Sequence, residues 1–85
     1  MQIILFGTGC EMCREIAHNI EAAIASLNYD INFEKTADLH RMLSYGIKST
    51  PSVVINEKVV SISTYLSSDD VLALIHANCS SEHQN

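Results

Sequence analysis

The stretch IILFGTGCEMC, residues 3–13, joins a continuous apolar run to two cysteines that are separated by two residues. A continuous run rich in β-branched residues is typical of a strand that is buried on both faces of a parallel or mixed sheet. From Arg14 onward, apolar residues recur at helical spacing, at positions 16, 20, 23, 24 and 27. The pattern predicts a strand over Ile3–Phe6, a loop that carries the cysteines, and an amphipathic helix from Cys13 to about Leu27.

The rest of the chain continues this alternation of strands and helices. The alternating segment INFEK, residues 31–35, predicts a second strand, and Asp38 is a suitable cap for a short helix that ends at Gly46. The runs PSVVI and KVVSI flank Asn56 and Glu57 and predict a hairpin whose turn type stays open. Ser67 precedes a last helix from about residue 68 to residue 78. The predicted order is therefore βαβαββα.

Length and composition limit the classes of protein that need to be considered. A chain of 85 residues has room for one domain, which we place over residues 1–79, followed by a polar, frayed tail over residues 80–85. The net charge of −5 provides no basic surface for nucleic acid or for an anionic membrane. The apolar runs are far shorter than the roughly 20 residues of a membrane span, and the start of the chain lacks a signal-peptide pattern. We expect a monomeric, cytoplasmic protein.

The cysteine pair lies where the first strand turns into the first helix. The backbone N–H groups and the positive dipole at a helix start favour a thiolate, so we expect Cys10 to be the outer, reactive thiol. The spacing brings Cys13 within reach of Cys10, so that Cys13 can resolve a mixed disulfide formed there. Gly7 and Gly9 are expected to keep the approach to Cys10 open and to tolerate unusual backbone angles. The carboxylate of Glu11 acts against thiolate formation, and the sequence leaves the net pKa open.

Three other interpretations of the cysteine pair stay open. In the first, the two residues are inert, small apolar side chains. In the second, they bind copper or zinc, because heavy-metal-associated domains place Cys-x-x-C after a first strand, although a closed zinc site takes about four ligands. The sequence has no second Cys-x-x-C, and His18 lies about 140° around a helix from Cys13. The third interpretation is a non-catalytic module that binds a partner through the hairpin edge.

A third cysteine and a single proline complete the chemically informative residues. The odd cysteine, Cys79, argues against a disulfide-stapled secreted scaffold and is in keeping with a reducing compartment. Pro51 begins an apolar strand, where it cannot donate to the sheet, and its imide is the bond type for which the cis form costs little. One interpretation is that Pro51 only marks the strand start. The other places a cis Pro51 beside the cysteines, with the backbone of Thr50 available to an extended substrate segment.

With Cys-x-x-C after the first strand and YGIKSTPSVVI, residues 45–55, before a hairpin, the chain resembles the thioredoxin superfamily over nearly its whole length. The segment GTGCEMC, so close to residue 1, is most similar to small thioredoxin-like, glutaredoxin-like redox-active disulfide proteins. The resemblance implies an α/β fold with a central four-stranded mixed sheet flanked by three helices. It also implies Cys10 as the nucleophile, Cys13 as the resolving thiol and Pro51 as the cis-proline.

The implied function is a thiol–disulfide oxidoreductase with no cofactor beyond the redox-active disulfide of Cys10 and Cys13. Its expected partners are a protein disulfide substrate and a reductase. The predicted substrate-binding residues are Thr8, Gly9, Thr50 and Pro51. Thioredoxins commonly carry a tryptophan before the cysteine pair, and this chain has Thr8 and Gly9 there instead. The first strand lacks the buried acid that assists proton transfer in thioredoxins. The segment SISTYLSSDD, residues 61–70, lacks the Gly-Gly with which glutaredoxins help to hold glutathione.

Overall fold

Strands and helices follow one another in the predicted order βαβαββα. The computed structural model describes residues 1–7, 9–27 and 30–83, with the backbone alone for residues 79–83. The elements are β1 Gln2–Phe6, α1 Glu11–Ala25, β2 Asn32–Thr36, α2 Leu39–Ser44, β3 Ser52–Ile55, β4 Lys58–Ile62 and α3 Ser68–His83. The strands form one sheet in the order β2-β1-β3-β4, in which β1 is parallel to β2 and antiparallel to β3. The predicted α/β fold, with a four-stranded mixed sheet and three helices, is confirmed.

The central strand β1 is buried on both faces, as its continuous apolar sequence predicts. Successive side chains of a strand point to opposite faces, so Ile3 and Leu5 enter one core while Ile4 and Phe6 enter another. The first core is closed by α1 and α3, and its members from these helices include Ile16, Ile20, Val71 and Ile75. The second core is closed by α2 and the segment after it, through Met42 and Ile47. The helices thus cover both faces of the sheet and hold β1 in place, and the cysteine loop follows directly from the end of this strand.

The short helix α2 begins and ends where the sequence predicts. The carboxylate of Asp38 accepts the N–H groups of His40 and Arg41, at 3.0 and 3.3 Å. At the other end Gly46 has a φ of +78°, which a glycine adopts without steric cost. The helix buries little, because Leu39 and Leu43 are 59% and 51% exposed.

The hairpin between β3 and β4 has a turn type that the sequence left open. Asn56 and Glu57 have φ values of +49° and +66°, and two positive values in a two-residue loop define a type I′ turn. The side-chain oxygen of Asn56 also accepts the N–H of Gln2 at 2.9 Å. The turn is therefore tied to the start of β1.

The last helix begins as predicted and ends later than predicted. The N–H of Asp70 donates to Ser67 Oγ and the N–H of Ser67 donates to the Asp70 carboxylate, both at 3.1 Å, in a reciprocal cap. The helix then continues through residues 80–83 to His83, so the prediction of an end near Asn78 is wrong. Their polar composition contains no Gly or Pro that would stop a helix. Residues 84 and 85 lie outside the described residues, and the domain boundary at residue 79 and the frayed tail over residues 80–85 stay predictions.

The length and composition of the helices bear on whether one of them could cross a membrane. Over residues 1–7, 9–27 and 30–83, none of them combines the length and the apolar character that crossing a bilayer requires.

Candidate active site

Cys10 is the capping residue at the N-terminus of α1. Its backbone is extended, with φ −67° and ψ 166°, and its Sγ accepts the N–H of Cys13 at 3.3 Å. The sulfur therefore takes the position that the oxygen of a serine or aspartate cap usually occupies. The helix starts at Glu11, two residues before the predicted start, because the cysteine itself acts as the cap. The Cys10 side chain is exposed.

Cys13 lies one turn further along the helix and points inward. It is only 4% exposed, and its Sγ lies 2.7 Å from Cys10 Sγ, with both cysteines in the reduced state. A disulfide bond is about 2.05 Å long, so only a small approach of the two sulfur atoms is needed to form one. The site thus pairs an accessible sulfur with a buried sulfur that lies within reach of it.

The electrostatic surroundings of Cys10 favour its thiolate. The hydrogen bond from the Cys13 side chain, followed by that from the Cys13 backbone N–H, lowers the pKa of Cys10 below its ordinary value. Desolvation raises the pKa of Cys10 by less than either of these two bonds lowers it, and the backbone N–H of Met12 lowers it by a smaller amount still. The sequence left open whether the carboxylate of Glu11 or the helix start has the larger effect on Cys10. In the structure the pKa of Cys10 is lowered.

The two glycines of the loop differ from each other: the unusual backbone angle that we predicted is found at Gly9, and Gly7 has a packing role that we did not predict. A Cβ atom on Gly7 would lie 2.7 Å from Cys13 Sγ and 3.1 Å from Cys13 Cβ, so Gly7 makes room for the buried sulfur and not for an approach to Cys10. Gly9 has open space around it, but its φ of +85° is a conformation that other residues rarely adopt. A glycine is therefore needed at position 7 because a side chain would clash with Cys13, and at position 9 because the backbone has a positive φ.

The segment before β3 meets the cysteine loop at one end of the sheet. Phe6 pairs with Ser52, so the next step of the same antiparallel register brings Pro51 to the level of Gly7. Pro51 is buried, the Thr50–Pro51 peptide bond is cis, and Thr50 is half-buried. Of the predicted substrate-binding residues, Gly9 is exposed on the cysteine loop, and Thr8 lies outside the described residues.

A group of serines holds the Pro51 segment in place, and sequence reasoning missed it. The N–H of Ser63 donates to the Pro51 carbonyl at 2.7 Å, and Ser63 Oγ lies 2.6 Å from Ser49 Oγ. The fully buried Ser52 donates through its Oγ to the Ser49 carbonyl at 2.6 Å. The sequence signal was weak, because serines after a strand are ordinary loop residues. Only the folded chain brings residue 63 to residue 51.

A cleft of about 310 Å³ lies beside Cys13 between α1 and β2, and Gly7 and Gly9 of the cysteine loop also line it. Leu5 and Ala17 form its apolar floor, and Cys13 contributes to its wall. The helical spacing led us to expect that His18 projects away from the thiols, yet His18 and Cys13 line this same cleft. Arg14, Glu21 and Lys35 complete its charged rim, and none of these three had been singled out from the sequence.

The part of the chain that the structure describes brings no third metal ligand to the cysteines. Within it, His, Cys, Asp and Glu side chains do not gather in any group of three or more that could hold a metal ion. The soft-metal interpretation therefore rests on two thiols among the described residues, and the order βαβαββα also differs from the βαββαβ order of heavy-metal-associated domains.

Comparison with known proteins agrees with this geometry. A family model described as a thioredoxin domain matches residues 1–76. The chain belongs to the thioredoxin family. It is 24% identical over 75 residues to the thioredoxin of Methanothermobacter thermautotrophicus, which covers 88% of this chain and 97% of that protein. It is 29% identical over 58 residues to the thioredoxin of Methanocaldococcus jannaschii, with 68% of this chain and 66% of that protein covered.

Membership of the thioredoxin family confirms the resemblance on which the fold was predicted. It supports a thioredoxin-like redox role in general terms, and the short distance between the two sulfur atoms is compatible with that role. The low identity to both relatives leaves the roles of individual residues to be argued from the geometry of this chain.

Proposed function

We propose that this protein is a thiol–disulfide oxidoreductase that reduces disulfide bonds in other proteins. The observation that carries the proposal is the pairing of Cys10, exposed at a helix start with a lowered pKa, with Cys13, buried and 2.7 Å away. Disulfide exchange requires an accessible thiolate and a second thiol within bonding distance, and the two cysteines satisfy both requirements.

In the first step the Cys10 thiolate attacks one sulfur of the substrate disulfide. The substrate S–S bond breaks, its second sulfur leaves as a thiolate that takes a proton, and a mixed disulfide forms at Cys10. Cys13 then loses its proton and attacks Cys10 Sγ, which releases the other substrate thiol and leaves the disulfide between Cys10 and Cys13. The substrate gains two electrons and the cysteine pair loses two, so the redox-active disulfide is the only redox group that the reaction needs.

The substrate is proposed to bind across the end of the sheet that carries both loops. Pro51 comes to the level of Gly7 in the register of β1 and β3, with Thr50 preceding it in the chain, and Gly9 is exposed next to Cys10. An extended substrate segment could pair with the backbone of Thr50, as peptides pair with exposed backbone in other proteins. A separate reductase returns the protein to its dithiol form, and a reducing compartment such as the cytoplasm suits this cycle. We propose that the protein acts as a monomer.

The test is the reduction of insulin disulfides by dithiothreitol, followed by turbidity, in a Cys79→Ser background. We expect Cys10→Ser to reduce the rate to that of dithiothreitol alone, whereas the parent keeps an accelerated rate. Cys13→Ser should instead accumulate a stable mixed disulfide with a protein substrate, which mass spectrometry detects. Circular dichroism of each variant serves as the control for folding.

Retention of the accelerated rate in Cys10→Ser would contradict the assignment of the nucleophile. If the parent does not accelerate insulin reduction and the reduced protein binds one equivalent of Cu(I) or Zn(II), the soft-metal interpretation replaces this proposal. If it does neither, a non-catalytic binding module is the remaining interpretation.

A further inference from the structure

The backbone of Thr50 is available for pairing, while the residues on either side of it are fixed by hydrogen bonds. Within the part of the chain that the structure describes, the N–H and the carbonyl of Thr50 form no hydrogen bond. The carbonyl of Ser49 accepts the hydroxyl of the fully buried Ser52 at 2.6 Å. The carbonyl of Pro51 accepts the N–H of Ser63 at 2.7 Å. An extended peptide that pairs with Thr50 is therefore oriented by the bonds that hold its two neighbours.

Ser63 holds the chain on both sides of Thr50. Its N–H bonds to Pro51, and its hydroxyl donates to the hydroxyl of Ser49 at 2.6 Å, between residues that are 14 positions apart in the sequence. The bond to Pro51 continues the antiparallel register of β3 and β4, so any residue with a backbone N–H could form it. The bond to Ser49 is different, because it requires a hydroxyl group at both positions.

The backbone conformation at Ser63 favours a different residue from the one that is present. Its φ of +53° lies in the left-handed region, which glycine adopts without the steric cost that other residues incur. A glycine at this position would keep the N–H bond to Pro51 and lose the bond to Ser49. Residues held in such conformations cluster at functional sites, where the surrounding contacts maintain them. The hydroxyl of Ser63 is the group that a glycine would not supply.

The loop that supplies Ser63 is fixed to the helix that carries the cysteines. The side-chain amide of Asn19, on α1, donates to the Leu66 carbonyl at 2.9 Å and to the Tyr65 hydroxyl at 3.1 Å. Leu66 lies three residues after Ser63 and is buried in the first core. The loop is thus held by β4 at one end and by α1 at the other, so Ser63 offers Ser49 a fixed partner.

We propose that Ser49 and Ser63 are positioning residues for protein substrates, because the bond between their hydroxyl groups holds the Thr50 backbone in the orientation in which an extended substrate segment pairs with it. The inference rests on the proposed function and adds to it two residues that act on the substrate through Thr50. Both serines are exposed, so water replaces the lost partner when either hydroxyl is removed, and the fold is retained. What changes is the orientation of Thr50.

A small disulfide should not depend on the two serines. Bis(2-hydroxyethyl) disulfide has no peptide backbone to pair with Thr50, and the exposed Cys10 is accessible to it without such pairing. The bonds that lower the pKa of Cys10 come from Cys13 and from the start of α1, and neither serine contributes to them. The comparison of insulin with this small disulfide therefore separates the orientation of a protein substrate from the reactivity of the thiolate.

The experiment measures the steady-state reduction of fluorescein-labelled insulin at varied insulin concentration, with dithiothreitol as the reductant, in the Cys79→Ser background. Ser49→Ala and Ser63→Ala should each raise KM for insulin by about two- to tenfold, the effect of one net hydrogen bond, with kcat unchanged. The rate with bis(2-hydroxyethyl) disulfide and the pH dependence of Cys10 alkylation should match the parent. The double variant should resemble each single variant, because the same bond is lost in all three.

Two further variants separate the hydroxyl bond from the shape of the loop. Ser63→Gly suits the positive φ, so its Tm should equal or exceed that of the parent, whereas its KM for insulin should equal that of Ser63→Ala. A role in loop conformation alone predicts instead that Ser63→Gly keeps the parental KM. Thr64→Ala is the matched control, because the neighbouring Thr64 hydroxyl donates to the Ile62 carbonyl within the same loop, at 3.0 Å. Its KM should match the parent.

Several results would overturn the inference while the oxidoreductase proposal stands. These are an accelerated reduction of insulin by the parent together with a parental KM in Ser49→Ala or in Ser63→Gly, additive effects in the double variant, an equal effect of Thr64→Ala, or equal losses with insulin and with the small disulfide. If the parent does not accelerate insulin reduction at all, the proposed function fails, and the positioning role that rests on it fails with it.

Discussion

Replacement of Gly7 by alanine is expected to disturb both the stability of the fold and the chemistry of the cysteines. The new Cβ would lie 2.7 Å from Cys13 Sγ, whereas ordinary contacts begin at 3.4 Å, so the sulfur or the strand must move by about 0.7 Å. Cys13 is 4% exposed, which leaves the sulfur little room to move. Overpacking of this kind costs about 1–3 kcal/mol. In a domain of this size that corresponds to a decrease in Tm of roughly 4–24 °C.

The same displacement should weaken the hydrogen bond from Cys13 that contributes most to the lowered pKa of Cys10. We therefore expect the pKa of Cys10 in Gly7→Ala to rise toward its ordinary value. The assays are thermal unfolding of the reduced protein, and the rate of alkylation by iodoacetamide as a function of pH.

Gly46→Ala is the matched control for this substitution. Gly46 has a φ of +78° and open space around its Cα, so an alanine there is strained without a clash and lies outside the cysteine site. It should lose about 1 kcal/mol of stability, since left-handed strain costs roughly 1–2 kcal/mol and a stiffer unfolded chain offsets part of it. Its Cys10 titration should match the parent. A Gly7→Ala protein with parental Tm and parental Cys10 pKa would refute the packing argument.

Three further outcomes follow from the structure. Because the pKa of Cys10 is lower in the folded state, its ionisation stabilises the reduced fold above the unfolded pKa of about 8.5, and this contribution is lost as pH falls through the folded pKa. The urea midpoint of the reduced parent should therefore rise with pH in that window, relative to Cys10→Ser, and parallel curves would contradict the lowered pKa. Glu57→Gly should raise Tm by a few degrees, because Glu57 has a φ of +66° in the type I′ turn, and a lower Tm would contradict the assigned turn. Ile20→Ala should lower the free energy of unfolding by about 2–5 kcal/mol in urea titrations, since Ile20 is fully buried, whereas Glu15→Ala at an exposed position of the same helix should change it by less than about 0.5 kcal/mol.

Part of the candidate site was predictable because it depends on neighbours in the sequence. The placement of Cys10 before the first turn of a helix follows from the end of one apolar pattern and the start of another. The reach of Cys13 follows from a spacing of three residues. The sequence indicated that the helix start acts to lower the pKa of Cys10 but left the net shift open, because its largest cause, the hydrogen bond from Cys13, depends on the positions of both sulfur atoms.

Errors arose where a local pattern has more than one structural outcome. The last helix was predicted to end near Asn78, yet α3 continues to His83, because polar composition alone does not end a helix. Leu39 and Leu43 are exposed on α2, where Met42 and the following Ile47 reach the core instead, and the local sequence pattern does not distinguish these residues. The number of apolar residues that a short helix buries depends on how it lies on the sheet.

The sequence by itself determined the order of the elements, the caps at Asp38 and Ser67, and the position of the cysteine pair at the start of a helix. These features depend on residues within about four positions of one another, where periodicity, capping and spacing act directly. Only the tertiary structure decided that Gly7 packs on Cys13, that Ser63 holds Pro51, and that Lys35 shares a cleft with the buried thiol. These contacts join residues brought together by strand register and by the packing of α1 on the sheet, and no local pattern in the chain encodes their distances.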